Sequence, residues 1–239
     1  TGGEPTDHPE FLDVVEACRS AGIHRVTVST HGMRFLKDPT LAPRLAELGA
    51  RVILSFDSFE REANEQLLGG RFLEPKLKVL DLLEAAGVDT TLLPVLARGV
   101  NTHEAGAFIR LALERDFIRS VEFHPLTFTG QSGVDFDRAA RYTTIDALKD
   151  IEAQSGGMLQ VDDFVAHPLA HPLCYQVCYL LKLEDGRWLP FTRIMSREQA
   201  RALLEAGLYL EPDARSEQIF RGVIDALFVR DLDDEPDAR

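Results

Sequence analysis

The chain alternates between amphipathic segments and short segments rich in β-branched residues. In the range 9–21 the apolar residues Phe11, Val14, Val15 and Cys18 recur at short intervals, as on one buried face of a helix. The range 24–30 is rich in β-branched residues and predicts a strand. The alternation continues as helix, strand, helix and strand over 41–48, 51–56, 75–86 and 89–96. This order predicts a parallel sheet covered by helices.

A further helix and strand complete the series. Thr102 predicts the start of a helix whose solvated side carries Glu104 and Glu114, and the last strand covers the range 120–129. The fold class we expect is therefore α/β, as a partial βα-barrel. Val28, Ile53, Leu93 and Val121 are the expected apolar lining of that barrel.

Beyond residue 130 the pattern changes to that of a C-terminal α+β extension. A helix over 143–154, a β-hairpin formed by 179–183 and 187–191, and helices over 196–206 and 216–228 are predicted there. The last residues are acidic and offer little to bury. We therefore divide the chain into a barrel part over 1–140, an extension over 141–230 and an acidic tail over 231–239.

Polar residues collect where the predicted strands end. In βα-barrels these carboxyl ends carry the chemistry. The residues at these ends are Thr30, His31, Ser55, Asp57, Arg98, Asn101, Glu122, His124 and Thr127. So many polar groups on otherwise apolar strands predict a ligand-binding face.

Charge and composition exclude several classes of protein. The net charge of −13 opposes binding to nucleic acid or to an anionic membrane surface. No stretch approaches the roughly 18 apolar residues of a membrane span, and three cysteines are too few for a disulfide framework. We expect a cytoplasmic protein that is not an integral membrane protein and does not bind nucleic acid.

The motif Gly2-Gly3-Glu4-Pro5 combines a turn that exposes backbone amides and carbonyls with one fixed negative charge. This combination suits the ammonium group of a zwitterionic ligand. It is followed at regular intervals by Ser-Thr-His-Gly at 29–32 and Ser-Phe-Asp-Ser at 55–58. The succession of the three motifs at βα spacing resembles the radical S-adenosylmethionine (SAM) enzymes.

The resemblance implies a role for each matching residue. Gly3 would offer its backbone to the amino group of SAM, with Gly2 and Pro5 completing the motif and Glu4 supporting that group. Ser55 would meet the SAM carboxylate, and Asp57 would lie on the same face of the strand. The remaining expected contacts are His124 to the adenosine and Thr30 and Arg98 to the substrate. His31 stands where the family usually has another residue.

The resemblance also implies a [4Fe–4S] cluster, held by a Cys-x3-Cys-x2-Cys loop after the first barrel strand. The chain begins after that point. We therefore expect an N-terminal truncation that lacks the first strand and the main cluster ligands and is inactive alone. The segments 123–133 and 171–175 resemble the branch of tetraether lipid synthases and methanopterin-methylating enzymes.

Two cysteines of the extension invite a separate interpretation. Cys174 and Cys178 lie four residues apart, and thiolates are preferred ligands of iron–sulfur clusters. They are candidate ligands of an auxiliary cluster, with buried core cysteines as the open alternative.

The expected function of the parent protein is reductive cleavage of SAM to start radical carbon–carbon bond formation or methylation at an unactivated carbon. Its expected partners are a small-molecule or lipid substrate and an electron donor such as ferredoxin or flavodoxin. A barrel that binds SAM or a nucleotide without a cluster is the alternative. A Schiff-base lyase is disfavoured because no lysine stands at a predicted strand end.

Overall fold

A computed structural model describes residues 3–129, 135–171, 173–205, 207, 209–210 and 213–233. The chain divides into two compact units, residues 1–143 and 144–239. Gly2, the range 130–134 and the last six residues of the expected tail lie outside the described residues. No helix within the described ranges is both long and apolar enough to cross a membrane.

The first unit is built on a parallel sheet. Its four strands, in their order across the sheet, are β1 (Thr27–Thr30), β2 (Arg51–Ser55), β3 (Thr90–Leu93) and β5 (Ile118–Val121). Two further short strands, β4 (Val95–Leu96) and β6 (His124–Pro125), pair in parallel with each other. Parallel strands that follow one another in chain order, with helices between them, confirm the α/β class and the partial βα-barrel.

Pro94 divides the predicted strand 89–96 into β3 and β4. A proline has no N–H to donate to a neighbouring strand. The pairing with the next strand nevertheless continues past it, because the N–H groups of Glu122 and His124 donate to Leu92 (2.8 Å) and Pro94 (2.9 Å). The carboxyl ends of β4 and β6 therefore project beyond the four-stranded sheet as a pair.

Helices connect these strands. Those of the first unit are α1 (Phe11–Ser20), α2 (Met33–Lys37), α3 (Leu41–Glu47), α4 (Arg61–Leu68), α5 (Leu73–Ala86) and α6 (Ala105–Glu114). Short 3₁₀ helices cover Pro5–Asp7 and Thr102–Glu104. The sequence pattern missed α2 and α4: α2 is only five residues long, and α4 is largely polar. Five residues are too few to show a helical period, and α4 has only three apolar residues among its eight.

The register of the sheet corrects the expected barrel lining. Paired residues of neighbouring strands share a face of the sheet, so Val28 shares a face with its partner Val52. Ile53 follows Val52 along β2 and therefore shares the opposite face with its partner Thr91. Val28 lies on the face covered by helices, in the same core as Val52. Ile53 lies on the other, half-buried face. Val121 packs against the same core as Val28. The prediction that Val28 and Val121 line the same surface as Ile53 was therefore wrong.

Two expectations for single side chains were also wrong in the first unit. Val14, placed on the buried stripe of α1, is 56% exposed, whereas Phe11 and Val15 are buried. Glu104, placed on the solvated side of its helix, is buried. Apolar periodicity locates the buried face of a helix only to within about one residue position. The sequence pattern also does not show that a charged side chain is buried when its hydrogen-bond partners lie far away along the chain.

The second unit is a mixed α+β structure. Its helices are α7 (Thr144–Gln154), α8 (Arg197–Ala202) and α9 (Ala214–Asp233), with 3₁₀ helices at Val161–Asp163 and Phe191–Arg193. Strand β7 (Val165–Ala166) pairs antiparallel with β8 (Gln176–Val177). Strand β9 (Leu180–Lys182) forms the predicted hairpin with β10 (Trp188–Pro190), and Gly186 has a φ of 84° in its turn. Because α9 continues to Asp233, the expected tail is helical over its first three residues.

Candidate functional site

Glu4 is held in one orientation at the carboxyl end of β1. Its side chain caps the 3₁₀ helix Pro5–Asp7, where Oε1 accepts from the Thr6 N–H (3.1 Å) and the Thr6 hydroxyl (2.6 Å). The same oxygen accepts from the Thr30 hydroxyl at 2.6 Å, and Oε2 accepts from the His31 N–H at 2.8 Å. Gly3, which precedes it, has a φ of 79° that favours glycine. Hydrogen bonds from Thr6 nearby in the chain and from Thr30 and His31 at the end of β1 therefore fix this carboxylate in place.

The hydrogen bonds also keep Glu4 ionised. Partial burial pushes the pKa of this carboxyl upward, but the bonds from Thr30, Thr6 and the His31 backbone outweigh it. The resulting pKa lies below its ordinary value. A fixed negative charge that is not fully covered, with its side chain 11% exposed, suits an ammonium ligand.

His31 contacts Glu4 through its backbone, and its ring lies beside the carboxylate. Its Nδ1 lies 3.3 Å from Glu4 Oε2 and accepts from the Met33 N–H at 3.1 Å. Because that hydrogen bond uses the Nδ1 lone pair, the ring proton of the neutral form is on Nε2. The ring is about half exposed. The unusual residue at this position thus keeps the backbone contact to Glu4 and adds a polar ring beside it.

Lys76, which the sequence analysis missed, brings a buried positive charge to the end of β2. It lies on α5, is 3% exposed, and its ammonium donates to the carbonyl oxygen of Ser55. Burial lowers the pKa of Lys76, while the carboxylates of Asp57 and Glu4 oppose that shift. A buried lysine is rare without such partners. Lys76 therefore belongs to the same cluster of charges as Glu4.

A sequence signal for Lys76 was present. It stands on the apolar stripe of α5, four residues before Leu80 and seven before Leu83, both of which are fully buried. A lysine inside an apolar helical stripe indicates a buried charge that needs a partner. Because Lys76 reaches a strand end from a helix, an inspection of strand ends alone could not find it.

Ser55 and Asp57 lie where the strand pattern placed them, but in different surroundings. The Ser55 side chain is half-buried, and within the described residues its hydroxyl has no hydrogen-bond partner. Asp57 is 3% exposed, and its Oδ1 accepts from the Val95 N–H at 3.0 Å. Burial raises the pKa of Asp57, against the Val95 N–H and the Lys76 charge. Ser55 is thus open to a ligand, whereas Asp57 joins β2 to β4.

Asn101 completes that junction. Its side-chain amide donates to the carbonyl oxygens of Asp57 (2.6 Å) and Val95 (2.8 Å), and its Oδ1 accepts from the Ala97 N–H at 2.9 Å. Both N–H groups of this buried amide and one lone pair of its oxygen serve the chain itself. Asn101 therefore fixes the loop after β4 rather than facing a ligand.

Glu104 fixes the loop that follows β2. Its carboxylate accepts from the Ser58 hydroxyl and from the Phe59 N–H, the latter at 2.8 Å. Burial raises the pKa of Glu104, although these two bonds oppose the rise. Phe59 packs in turn against Phe108, with ring centroids 4.7 Å apart. This buried acid and the aromatic contact hold the segment beyond Ser55 in place.

Arg98 lies in a second region, at the ends of β4 and β6. Its Nε donates to the Arg141 carbonyl at 2.9 Å, and its guanidinium lies 5.5 Å from the centre of the Tyr142 ring. Arg98 and Tyr142 both line a cavity of about 170 Å³. The other lining residues are Gln66, Ala97, Gly99, Val100, Leu126, Phe128, Asp135, Phe136, Asp137 and Ala140. The mixture of aromatic and charged groups suits a polar organic ligand.

The remaining expected site residues lie apart from Glu4 or serve the fold. His124 is exposed, with its Nε2 3.9 Å from Glu122 Oε2. Pro5 begins the 3₁₀ helix that Glu4 caps. Thr30 is buried and is used by Glu4, so its hydroxyl supports the carboxylate. Its assignment to substrate stays a prediction.

Cys174 and Cys178 differ in environment. Cys174 is exposed, whereas burial raises the pKa of the Cys178 thiol to about 12. In the part of the chain that the structure describes, no group of three or more His, Cys, Asp or Glu side chains is arranged to hold a metal ion. The auxiliary cluster stays a prediction.

Comparison with known proteins agrees with the motif order. The model of the Radical SAM superfamily matches residues 1–112, a range that includes Glu4, Ser55 and Lys76. The 7,8-dihydro-6-hydroxymethylpterin dimethyltransferase of Methanocaldococcus jannaschii is 33% identical over 170 residues, which are 70% of this chain and 33% of that protein. The GTP 3',8-cyclase of Chlorobaculum tepidum is 34% identical over 129 residues, 52% of this chain and 38% of that protein.

The chain spans about a third of the length of these curated relatives. Among solved structures, it is similar to native anSMEcpe with bound AdoMet and Kp18Cys peptide. That likeness has a TM-score of 0.45 at 18% identity and covers 67% of this chain and 48% of the other.

Proposed function

Because the chain belongs to the radical SAM superfamily, we propose that the protein cleaves SAM reductively at a [4Fe–4S] cluster and starts carbon–carbon bond formation or methylation. SAM and such a cluster are the cofactors of this superfamily. The chemistry that bound SAM supplies is a primary carbon radical, which abstracts hydrogen from a C–H bond. The target we propose is an unactivated carbon of a small molecule.

The observation that carries the proposal is the fixed, ionised carboxylate of Glu4. Its hydrogen bonds to Thr6, Thr30 and His31 leave it part-exposed at the end of β1, which fits the ammonium group of SAM. The open hydroxyl of Ser55, at the end of the neighbouring strand, fits the carboxylate. These residues of the chain therefore fit the amino-acid end of SAM.

The cysteines of the described residues are not arranged to bind the [4Fe–4S] cluster. Cys18 lies on α1 and the other two cysteines lie in the second unit, and the described residues offer no triad of metal-binding side chains. The described part of the chain does not fit a [4Fe–4S] cluster. The proposed cluster therefore needs cysteine ligands other than those of the described residues.

The chain's own contribution is to bind and orient. Glu4 holds an ammonium group, Ser55 offers a hydroxyl, and Asp57 fixes β2 relative to β4 through the Val95 N–H. Because hydrogen bonds hold Glu4 and Asp57 before any ligand arrives, these two groups need little reorganisation on binding.

We place the substrate in the cavity beside Arg98 and Tyr142. The two relatives are named for reactions of a pterin and of GTP, which favours a small polar substrate over a long lipid. A protein electron donor such as ferredoxin or flavodoxin would supply the electron for reductive cleavage.

The test is anaerobic reconstitution of the intact protein with iron and sulfide, followed by an assay for 5′-deoxyadenosine. We expect its formation from SAM and a reductant. Full iron loading with SAM binding but without 5′-deoxyadenosine would favour the alternative, a barrel that only binds SAM.

Glu4→Gln provides the matching binding test. Replacing a charged hydrogen-bond acceptor by a neutral one should weaken SAM binding by about 10- to 100-fold. Glu10→Gln is the matched control, because Glu10 is close in sequence but exposed. Equal affinities for the two variants would contradict the assignment of Glu4.

A further inference from the structure

The polar side chains that line the cavity beside Arg98 differ in how fully the chain already uses them. Arg98 donates to a backbone carbonyl oxygen and lies over an aromatic ring, and Asp137 Oδ1 accepts from the Ala139 N–H at 2.8 Å. Asp135, by contrast, has no hydrogen bond and no ion pair within the described residues. Its carboxylate is therefore a charged group of the lining that is open to a ligand.

Aromatic side chains form the apolar part of the same lining. Phe128 and Phe136 are half-buried, and Tyr142 is buried. Aromatic rings stack on planar heterocycles without regard to the substituents at the ring edge. The cavity, at about 170 Å³, is smaller than the roughly 300–1,000 Å³ of sites for drug-sized ligands. It therefore suits one planar ring system that is oriented by its polar edge.

A carboxylate selects a particular edge of such a ring. It has two acceptor oxygens and no donor, so it binds best to two parallel N–H groups, as it does to the guanidinium of arginine. A ring N–H next to an exocyclic amino group presents the same two donors. That edge occurs in 2-amino-4-oxopyrimidine rings, of which guanine and pterin are fused forms.

We propose that the cavity binds a 2-amino-4-oxopyrimidine ring and that Asp135 is the specificity-determining residue, because it accepts from the ring N–H and from the amino group. The inference rests on the proposed function, which places the substrate in this cavity. The amide of Gln66 also has no partner within the described residues, and it offers a donor and an acceptor to other polar atoms of the ring. A ring without the amino group loses one of the two bonds to Asp135.

A role for Asp135 through its charge alone makes a different prediction. The side chain is exposed, and if it acted only as a negative charge, its removal would change the affinity for every ligand of the cavity by the same factor. A residue that binds the amino group acts only on ligands that carry that group. Ligands that differ in the amino group alone separate the two roles.

Calorimetry on the intact protein measures the affinity for two pairs of ligands, 9-methylguanine with 9-methylhypoxanthine and pterin with pteridin-4-one. The members of each pair differ only in the 2-amino group. For the wild type we expect the amino compound to bind about 10-fold more tightly. In Asp135→Asn this preference should fall below about 3-fold, through weaker binding of the amino compound. The pair whose amino compound binds more tightly identifies the ring as a purine or a pteridine.

Asp13→Asn is the matched control, because Asp13 is exposed on α1 and does not line the cavity. The substitution and the change in net charge are the same as in Asp135→Asn. The control should leave all the affinities unchanged. Since both aspartates are exposed, neither substitution should prevent folding, which circular dichroism checks.

The inference is overturned if the wild type binds none of the four compounds or binds the members of each pair equally. An Asp135→Asn variant that keeps the wild-type preference, or that loses affinity equally for all the compounds, overturns it as well. In each of these cases SAM binding and the formation of 5′-deoxyadenosine test the proposed function separately. A protein that prefers the amino compounds through Asp135 but forms no 5′-deoxyadenosine supports the inference and refutes reductive cleavage.

Discussion

Gly32 offers a sharp test of how β1 and its following loop are packed. It has a φ of 87°, and a Cβ added to it would lie 2.7 Å from Leu54 Cδ1 and 3.0 Å from Val79 Cγ1. Both neighbours are fully buried, so neither can move into solvent. Gly32→Ala therefore combines a strained backbone, costing about 1–2 kcal/mol, with overpacking that costs about 1–3 kcal/mol.

The expected loss in the free energy of unfolding is about 2–5 kcal/mol, measured by urea denaturation of the purified protein. Gly87→Ala is the control, because Gly87 has a φ of 70° but a Cβ added there would meet nothing within 4 Å. It should lose about 1–2 kcal/mol, from the backbone alone. If the two variants lost the same amount, the close approach of α5 to the Gly32 loop would be refuted.

Three further outcomes follow from the buried and titrating groups. Glu104→Ala should destabilise the protein by about 1–3 kcal/mol in urea denaturation, because a buried hydroxyl and an N–H lose their acceptor, and Glu104→Gln should lose less. The lowered pKa of Glu4 means that its contribution to stability is present above pH 4.5 and is lost as the pH falls through the folded-state pKa. Thr30→Val should raise that pKa, so a carboxyl NMR titration should move to higher pH; an unchanged titration would refute the role of this hydroxyl. Iodoacetamide should alkylate exposed Cys174 faster than Cys178, whose thiol has a pKa of about 12, and mass spectrometry showing the reverse would contradict the burial of Cys178.

Local patterns were sufficient for the parallel βα arrangement. The β-branched segments and the amphipathic helices each report on their own neighbours in sequence, and the carboxyl ends of parallel strands meet at one edge whatever the details of packing. The hairpin of β9 and β10 was predictable for the same reason, since Gly186 and the flanking strands lie within a few residues.

The partners of buried charges required the tertiary structure. Lys76 contacts Ser55, 21 residues earlier, and Glu104 contacts Ser58, 46 residues earlier. No local periodicity encodes such pairs, because they depend on how α5 and the start of α6 cross the strand ends. The sequence by itself determined the alternation of strands and helices and which acid follows the diglycine, whereas the predicted strand 120–129 is found as Ile118–Val121 and His124–Pro125. Only the tertiary structure decided which carboxylates interact with the buried ammonium of Lys76, because the electrostatic interaction between two groups depends on their distance in space rather than along the chain.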